Sequence, residues 1–354
     1  MKRTALSLAL FASTGAALAQ SSVALYGIMD SMYSSGSGST SNKSALGSGG
    51  NMTSRFGFRG LEDLGGGLRA GFVLESQVFV DSGNGQPTNT SNQVAGVTTG
   101  SGATFARRST VSLMGGWGEV RLGRDFTSHY RNRVEVDPFG NAGVGASQAF
   151  AGSIGGVVST RASNIIGYHL PSQSQGIYGQ AQYYMGENAS NTSQSKDGNG
   201  LSGRLGYVLG TLNLSLATAK TSYATTATAG DITATNLGVQ YGLGDFKLMT
   251  GLYRDRVNST KPLIAKGWSL GGAYTQGAGE YKIALSKYGT DATGSPSTDK
   301  ISLGYVHKLS NRTVLYGTWA KVNNKGGATT SLNGATTSAN GGSSGLDLGI
   351  RHMF

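Results

Sequence analysis

From Ser22 onward the chain alternates apolar and polar residues in short segments. Over 177–185, Ile177, Gly179, Ala181, Tyr183 and Met185 share one face, and Tyr178, Gln180, Gln182 and Tyr184 share the other. Leu212, Leu214 and Leu216 oppose Asn213 and Ser215, while Trp268, Leu270, Gly272 and Tyr274 oppose Ser269, Gly271, Ala273 and Thr275. At the end of the chain Leu346, Leu348, Ile350 and Phe354 oppose Asp347, Gly349 and Arg351. A period of two marks strands with unlike faces. Tight turns at 63–67, 115–118, 171–176, 209–211, 242–245, 277–279 and 309–311 alternate with polar loops near 35–50, 81–103, 125–158, 187–198, 222–231, 257–264, 290–298 and 323–343. Together they separate about sixteen strands, an even number, with short turns at one end and long loops at the other. The pattern predicts an all-β chain: a transmembrane antiparallel β-barrel with its long loops outside the cell.

Three observations favour a barrel over a soluble sandwich. Nearly every strand has one apolar face, with no second sheet required to cover it. Tyr207, Tyr241, Phe246 and Tyr281 sit beside the short turns, where an interfacial aromatic girdle belongs. A sheet in lipid tolerates no edge, because each backbone N–H and C=O must be paired internally. The first strand, 23–30, is therefore expected to pair with the last, 346–354.

The N-terminus adds a compartment. Lys2 and Arg3 precede an apolar run, and Ala17-Leu18-Ala19 forms a small-x-small site. This reads as a cleaved secretory leader over 1–19, leaving a single barrel domain over 20–354 that begins at Gln20. The apolar run is too short for a membrane anchor. Composition agrees: 58 Gly, 16 Tyr and 11 Phe stand against 5 Pro and no Cys. The formal charge is +11, and removing Lys2 and Arg3 leaves +9. The arginines are spread singly over many strands rather than clustered, so a basic interior is expected and nucleic acid is not.

One stretch breaks the pattern. From Asp125 to Ser163 neither a period of two nor one of 3.6 runs through the chain, and a loop this long is functional or disordered. Its middle carries Glu135 and Asp137, with Arg131 and Arg133 just before them. We expect this third long loop to fold into the barrel and narrow a pore; a flexible surface excursion is the alternative. Strand parity then assigns the arginines. Phe56 and Phe58 point to lipid, so Arg55 points inward. Val111 and Leu113 point out, so Arg108 points in and Arg107 does not. Arg161, Arg69, Arg121 and Arg204 are inward by the same rule, because arginine at the bilayer midplane costs about 2–4 kcal/mol on the lipid side. Arg107 and Arg124 lie near strand ends, where that cost is small.

Ser22-Val23-Ala24-Leu25-Tyr26-Gly27, then Ser54-Arg55-Phe56-Gly57-Phe58-Arg59-Gly60 with Glu62-Asp63-Leu64-Gly65-Gly66-Gly67, open the mature chain. Arg107-Arg108-Ser109-Thr110-Val111-Ser112-Leu113 precedes Gly118-Glu119-Val120-Arg121-Leu122-Gly123-Arg124, and the chain ends Gly349-Ile350-Arg351-His352-Met353-Phe354. With Leu303-Gly304-Tyr305-Val306-His307 between them, these segments resemble the Gram-negative general diffusion porins, of the trimeric sixteen-stranded kind found in β-proteobacteria. The resemblance covers the whole mature chain in order. It implies a homotrimer surrounded by outer-membrane lipid and lipopolysaccharide, one water-filled pore per monomer, and acidic residues on the third loop facing basic wall residues. Arg55, Arg108 and Arg161 fit that basic cluster, with Arg69 and Arg121 on the same wall, and Glu135 and Asp137 fit the acidic side. It also implies that Phe354 is read by the barrel-assembly machinery.

Chemistry beyond a channel finds little support. His129, His169, His307 and His352 are scattered, with no metal-ligand spacing, and no Gly-rich turn opens a helix to cradle phosphate. His169 is inward by parity, but a polar wall residue accounts for it better than a Ser-His enzyme does. No cofactor or metal is expected. The reading is a passive channel for small hydrophilic solutes and ions, mildly anion-preferring and not an enzyme. A substrate-specific channel for organic anions or sugars is the alternative, and a surface enzyme or adhesin a third class. A sugar channel would need a run of lumenal aromatics, whereas inward Tyr178, Tyr184, Tyr253 and Tyr288 are dispersed.

Overall fold

The computed structural model describes residues 22–97, 102, 104–148, 154, 156–171 and 173–354. The expected leader and the Gln20 start lie outside the described residues. The strands are β1 (Ser22–Gly38), β2 (Lys43–Ser48), β3 (Arg55–Gly65), β4 (Leu68–Gln77), β5 (Arg108–Gly115), β6 (Gly118–Phe126), β7 (Arg161–His169), β8 (Gly176–Tyr184) and β9 (Gly200–Leu209). They continue as β10 (Leu212–Thr221), β11 (Asp231–Leu243), β12 (Phe246–Asn258), β13 (Leu263–Gln276), β14 (Gly279–Thr290), β15 (Ser297–Lys308), β16 (Thr313–Lys325) and β17 (Gly342–Met353). All pairings are antiparallel, and β1 pairs with β17 from Ile28↔Met353 to Gly38↔Ser343, which closes the sheet.

β2 and β3 lie on the same side of β1: Ser31–Gly36 pairs with Lys43–Ser48, and Ser22–Ile28 with Arg55–Leu61. They are two halves of one spanning strand, so the barrel has sixteen. The break at 49–54 is organised by buried Asp30. Its Oδ2 accepts the Asn51 and Met52 N–H groups at 2.9 and 2.6 Å, and its Oδ1 accepts the Tyr316 hydroxyl. The first long loop is correspondingly smaller than expected. Much of 35–50 is strand, and only 39–42 turns the hairpin.

The molecule is apolar outside and polar inside. Leu214, Leu216, Leu252, Leu270, Ile283 and Leu348 are exposed, as alternation predicted. On the inner face Ser215, Asn236, Ser269, Ser286, Ser302 and Thr318 are buried. The third loop bonds to two of them, Asn236 through the Asn132 side chain and Ser286 through the Gln148 N–H. At the short-turn end Phe246, Tyr274, Tyr281 and Tyr305 form a row with successive ring centroids 4.3, 6.3 and 4.9 Å apart. That row runs across four consecutive strands, β12 to β15, as an interfacial girdle does.

Candidate pore constriction

The loop between β6 and β7 turns inward and follows the inner wall. It opens with a helix, α1 (Ser128–Glu135). The sequence SHYRNRVE has no apolar stripe because the wall it docks on is polar. Ser128 donates from its N and Oγ to Gln182 Oε1 on β8, at 2.8 and 2.9 Å. Asn132 Nδ2 donates to Asn236 Oδ1 on β11 at 2.7 Å, and Asn236 Nδ2 donates back to the His129 carbonyl at 3.0 Å. Arg133, fully buried, donates to Asp255 Oδ1 on β12 at 2.5 Å, and Tyr288 of β14 donates to the other carboxylate oxygen.

Beyond the helix the loop reaches β17, where Val144 N donates to Asp347 Oδ2 at 2.7 Å. On the way it sits in notches left by inward glycines. A Cβ on Gly238 would stand 2.5 Å from Val136 Cγ1, one on Gly271 2.8 Å from Pro138 Cγ, one on Gly304 2.6 Å from Phe139 Cε1, and one on Gly345 2.6 Å from Val144 Cγ2. These are contacts that real Cβ atoms cannot make. β11, β13, β15 and β17 each contribute one notch.

The loop leaves a cavity of about 580 Å³ between itself and the wall. Around it stand Arg55, Arg107, Arg131, Lys247, Lys282, Lys308 and Arg351, against Glu135, Asp137 and Glu280. The expected residues occupy several distinct places. Arg55 faces the cavity 3.7 Å from Glu75, an inward acid of β4 that also binds Arg107 at 2.7 Å and accepts the Tyr26 hydroxyl. Arg121 is held by Glu119 at 2.8 Å and by Asp125 at 2.6 Å, and Arg108 lies 3.5 Å from the same Asp125 oxygen. Glu135 pairs with Arg204 rather than with Arg55, Arg108 or Arg161.

Four expectations change. Arg107 turns inward: it precedes the first residue of β5, so strand parity does not bind it, and Glu75 draws it in. Arg161 is inward but buried, with its guanidinium 4.3 Å from the Phe126 ring centre and Nε donating to the Arg107 carbonyl. Asp137 faces no arginine, because its two oxygens accept the Phe139 and Ser147 N–H groups, both at 2.9 Å. Arg69 is exposed beside the short turn, opposite Asp63 and Met114, away from the loop. Sequence reasoning missed Glu75, Lys247, Lys282, Lys308 and Arg351, although parity marks each as inward. Tyr184, Tyr253 and Tyr288 are buried, so they offer no aromatic path to a sugar.

Within the loop, burial sets the ionisation of its polar groups. His129 falls from its ordinary 6.5 to about 3, first because it is buried and then because Arg133 is beside it. Burial raises the Asp137 carboxyl, opposed by the N–H groups it accepts. Burial likewise lowers Arg131.

A closed barrel with an apolar exterior, a polar interior and one loop folded into the bore is an outer-membrane channel. The chain belongs to the Gram-negative porin family, whose sequence profile matches residues 4–327. It is 36% identical over 371 residues to outer membrane porin protein 32 of Delftia acidovorans, covering 100% of both chains. It is 28% identical to an outer membrane porin protein of Bordetella pertussis, again over 100% of both. Among solved structures, the anion-selective porin from Comamonas acidovorans superposes with a TM-score of 0.83 at 33% identity, covering 95% of this chain and 100% of that one. OmpF of Salmonella typhi shares the fold at a TM-score of 0.67 and 14% identity, covering 94% of this chain and 97% of that one. The protein is thus a general diffusion channel of the Gram-negative outer membrane.

Proposed function

We propose that the channel passes small hydrophilic solutes without chemical change and mildly prefers anions. The observation that carries this reading is the charge around the cavity: seven basic side chains against three acidic ones, a formal excess of four. The acids are also occupied, Glu135 by Arg204, Asp137 by loop N–H groups, and Glu280 by Lys282 at 3.4 Å. Two charges about 8 Å apart interact by roughly 0.5 kcal/mol in bulk water and about 2 kcal/mol at an effective dielectric of 20, so several together bias permeation. Physiological salt, with a Debye length of about 8 Å, weakens the bias without removing it. The similarity to an anion-selective porin from Comamonas acidovorans supports the same sign. Selectivity of this kind comes from bore and field rather than from a tight site.

The reading includes a homotrimer, cleavage after Ala19, and recognition of the C-terminal strand by the barrel-assembly machinery. It moves the weight of selectivity from Arg161 to Arg55, Lys282, Lys308 and Arg351. The test is the zero-current potential of single channels in a potassium chloride gradient. Lys282→Gln with Lys308→Gln is expected to lower the chloride-over-potassium permeability ratio about twofold, while Arg161→Gln leaves it nearly unchanged. A wild-type channel that prefers potassium, or a double variant indistinguishable from it, overturns the reading.

A further inference from the structure

The inner wall of the bore is rich in serine, threonine and asparagine, yet part of the constriction is apolar. Val136, Pro138, Phe139 and Val144 have seats on the wall, in the notches of Gly238, Gly271, Gly304 and Gly345. Tyr130 and Val134 are placed differently. They stand four residues apart on α1, so they share one helix face. Both line the 580 Å³ cavity, whereas Ser128 and Asn132 make the wall bonds. Half-buried Phe126, just before the helix, extends this face, with its ring stacked on Tyr130 at 5.3 Å between centroids and 16° between planes. The Arg161 and Arg107 guanidinium groups lie 4.3 and 5.8 Å from the Phe126 ring centre and hold it in place. Phe126, Tyr130 and Val134 thus form an apolar ledge bordering the bore.

Cations stand beside the ledge. Arg55 and Arg107 share one acid, Glu75, at 3.7 and 2.7 Å, which leaves a formal excess of one positive charge at that corner. The Arg55 guanidinium is within electrostatic reach of the Tyr130 hydroxyl. On the same cavity Arg351 donates from Nη1 to Asn51 at 2.8 Å, and its buried Nε has no hydrogen-bond partner among the described residues. Ligand sites of this size, about 300–1,000 Å³, combine an apolar lining with a few placed polar groups.

We propose that the constriction holds aromatic carboxylates in transit, with the ring against Phe126, Tyr130 and Val134 and the carboxylate toward Arg55 and Arg107. Stacking on an aromatic face and burial of ring area favour the apolar end. Guanidinium forks suit the two carboxylate oxygens at the other end. A hydroxylated carboxylate meets only the cations, and a neutral aromatic only the ledge. Binding is weak enough for release, because conduction needs exit as well as entry. The proposal rests on the anion preference argued above and adds the body of the solute to its charge.

The test uses full-length channels in planar bilayers and reads the block of chloride current by added benzoate. Threonate, a hydroxylated carboxylate of equal heavy-atom count, acetate and neutral benzyl alcohol are the comparison probes. Benzoate is expected to reach half-block at a concentration at least about fivefold below threonate or acetate. Tyr130→Ser combined with Val134→Ser is expected to raise the benzoate half-block concentration about tenfold, to the level of threonate. Val134→Thr keeps the shape of the side chain and is expected to raise it about threefold, so the proposal stays testable if the double variant does not assemble. The chloride-over-potassium ratio is read on the same channels. Chloride preference with equal block by benzoate and threonate overturns this proposal alone, whereas potassium preference overturns the charge reading beneath it. Unchanged benzoate block in the variants removes the ledge from the account and overturns the proposal. Block by benzyl alcohol equal to that by benzoate overturns the carboxylate assignment.

Discussion

Arg133 shows how strongly one residue fixes the bore. Its guanidinium is buried against Asp255 and lies 5.3 Å from the centre of the Tyr253 ring. Removing one partner of a buried ion pair leaves an unpaired charge and costs about 3–5 kcal/mol, whereas replacing both by apolar groups is often close to neutral. Asp255→Leu alone is therefore expected to release the loop, read as unstable conductance and rapid proteolysis near residue 133. Arg133→Met combined with Asp255→Leu is expected to recover most of the loss, and a double variant as damaged as the single would count against the ion pair as the anchor. Sequence parity placed Arg55, Arg121 and Arg204 on the inner face. It misplaced Arg107, which lies just outside the strand whose alternation it was assigned by. It gave Arg161 the right side but not its burial, because burial depends on what the loop and Phe126 place over it.

At the scale of the element, the loop behaves as a docked body with its own titration. A released loop exposes His129 with its ordinary pKa of 6.5, while the docked loop holds it at about 3. Between these values the released form binds more protons, so docking weakens as pH falls through this window and regains strength as pH rises. Raised Asp137 works in the opposite sense, so the comparison with His129→Gln isolates the histidine. Wild type is expected to lose amide-exchange protection over 128–148 as pH falls from about 6.5 toward 3, and His129→Gln to lose much less. Identical profiles would remove His129 from the account. The loop's existence was legible in its length and in its break from alternation, which left a surface excursion open; its inward course was what the family resemblance implied. The helix α1 was not legible, because eight residues with Val134 as their one aliphatic side chain, docked on a polar wall, carry no amphipathic signal.

For the whole molecule, closure is the decisive event. The seam begins where Gly27 N donates to the Phe354 carbonyl at 3.0 Å and Phe354 N donates to the Gly27 carbonyl at 3.1 Å. The Phe354 ring covers the space a Cβ on Gly27 would take, 2.3 Å from its Cζ. Deleting Phe354 removes the first rung of the seam and its aromatic cover, and is expected to lower the yield of heat-modifiable barrel in cells; an undiminished yield would show that Met353 suffices. Closure of the first strand on the last, the turns and the strand count were readable from the sequence, since lipid forbids an edge and forces alternation; the register of the seam was not, because it falls on 27–38 rather than on 23–30. The division of one spanning strand into β2 and β3 was not, because it depends on Asp30 gathering N–H groups from 49–54. The four wall glycines that seat the loop extend this to the channel's history. None of the four lines the cavity, yet a methyl added at Gly304 displaces Phe139, and one at Gly271 meets both Pro138 and the Ile283 carbonyl of the next strand. Selection for exclusion of a bulky toxic compound can therefore act on codons whose products never meet that compound, and resistance of this origin would escape any survey restricted to pore-lining positions.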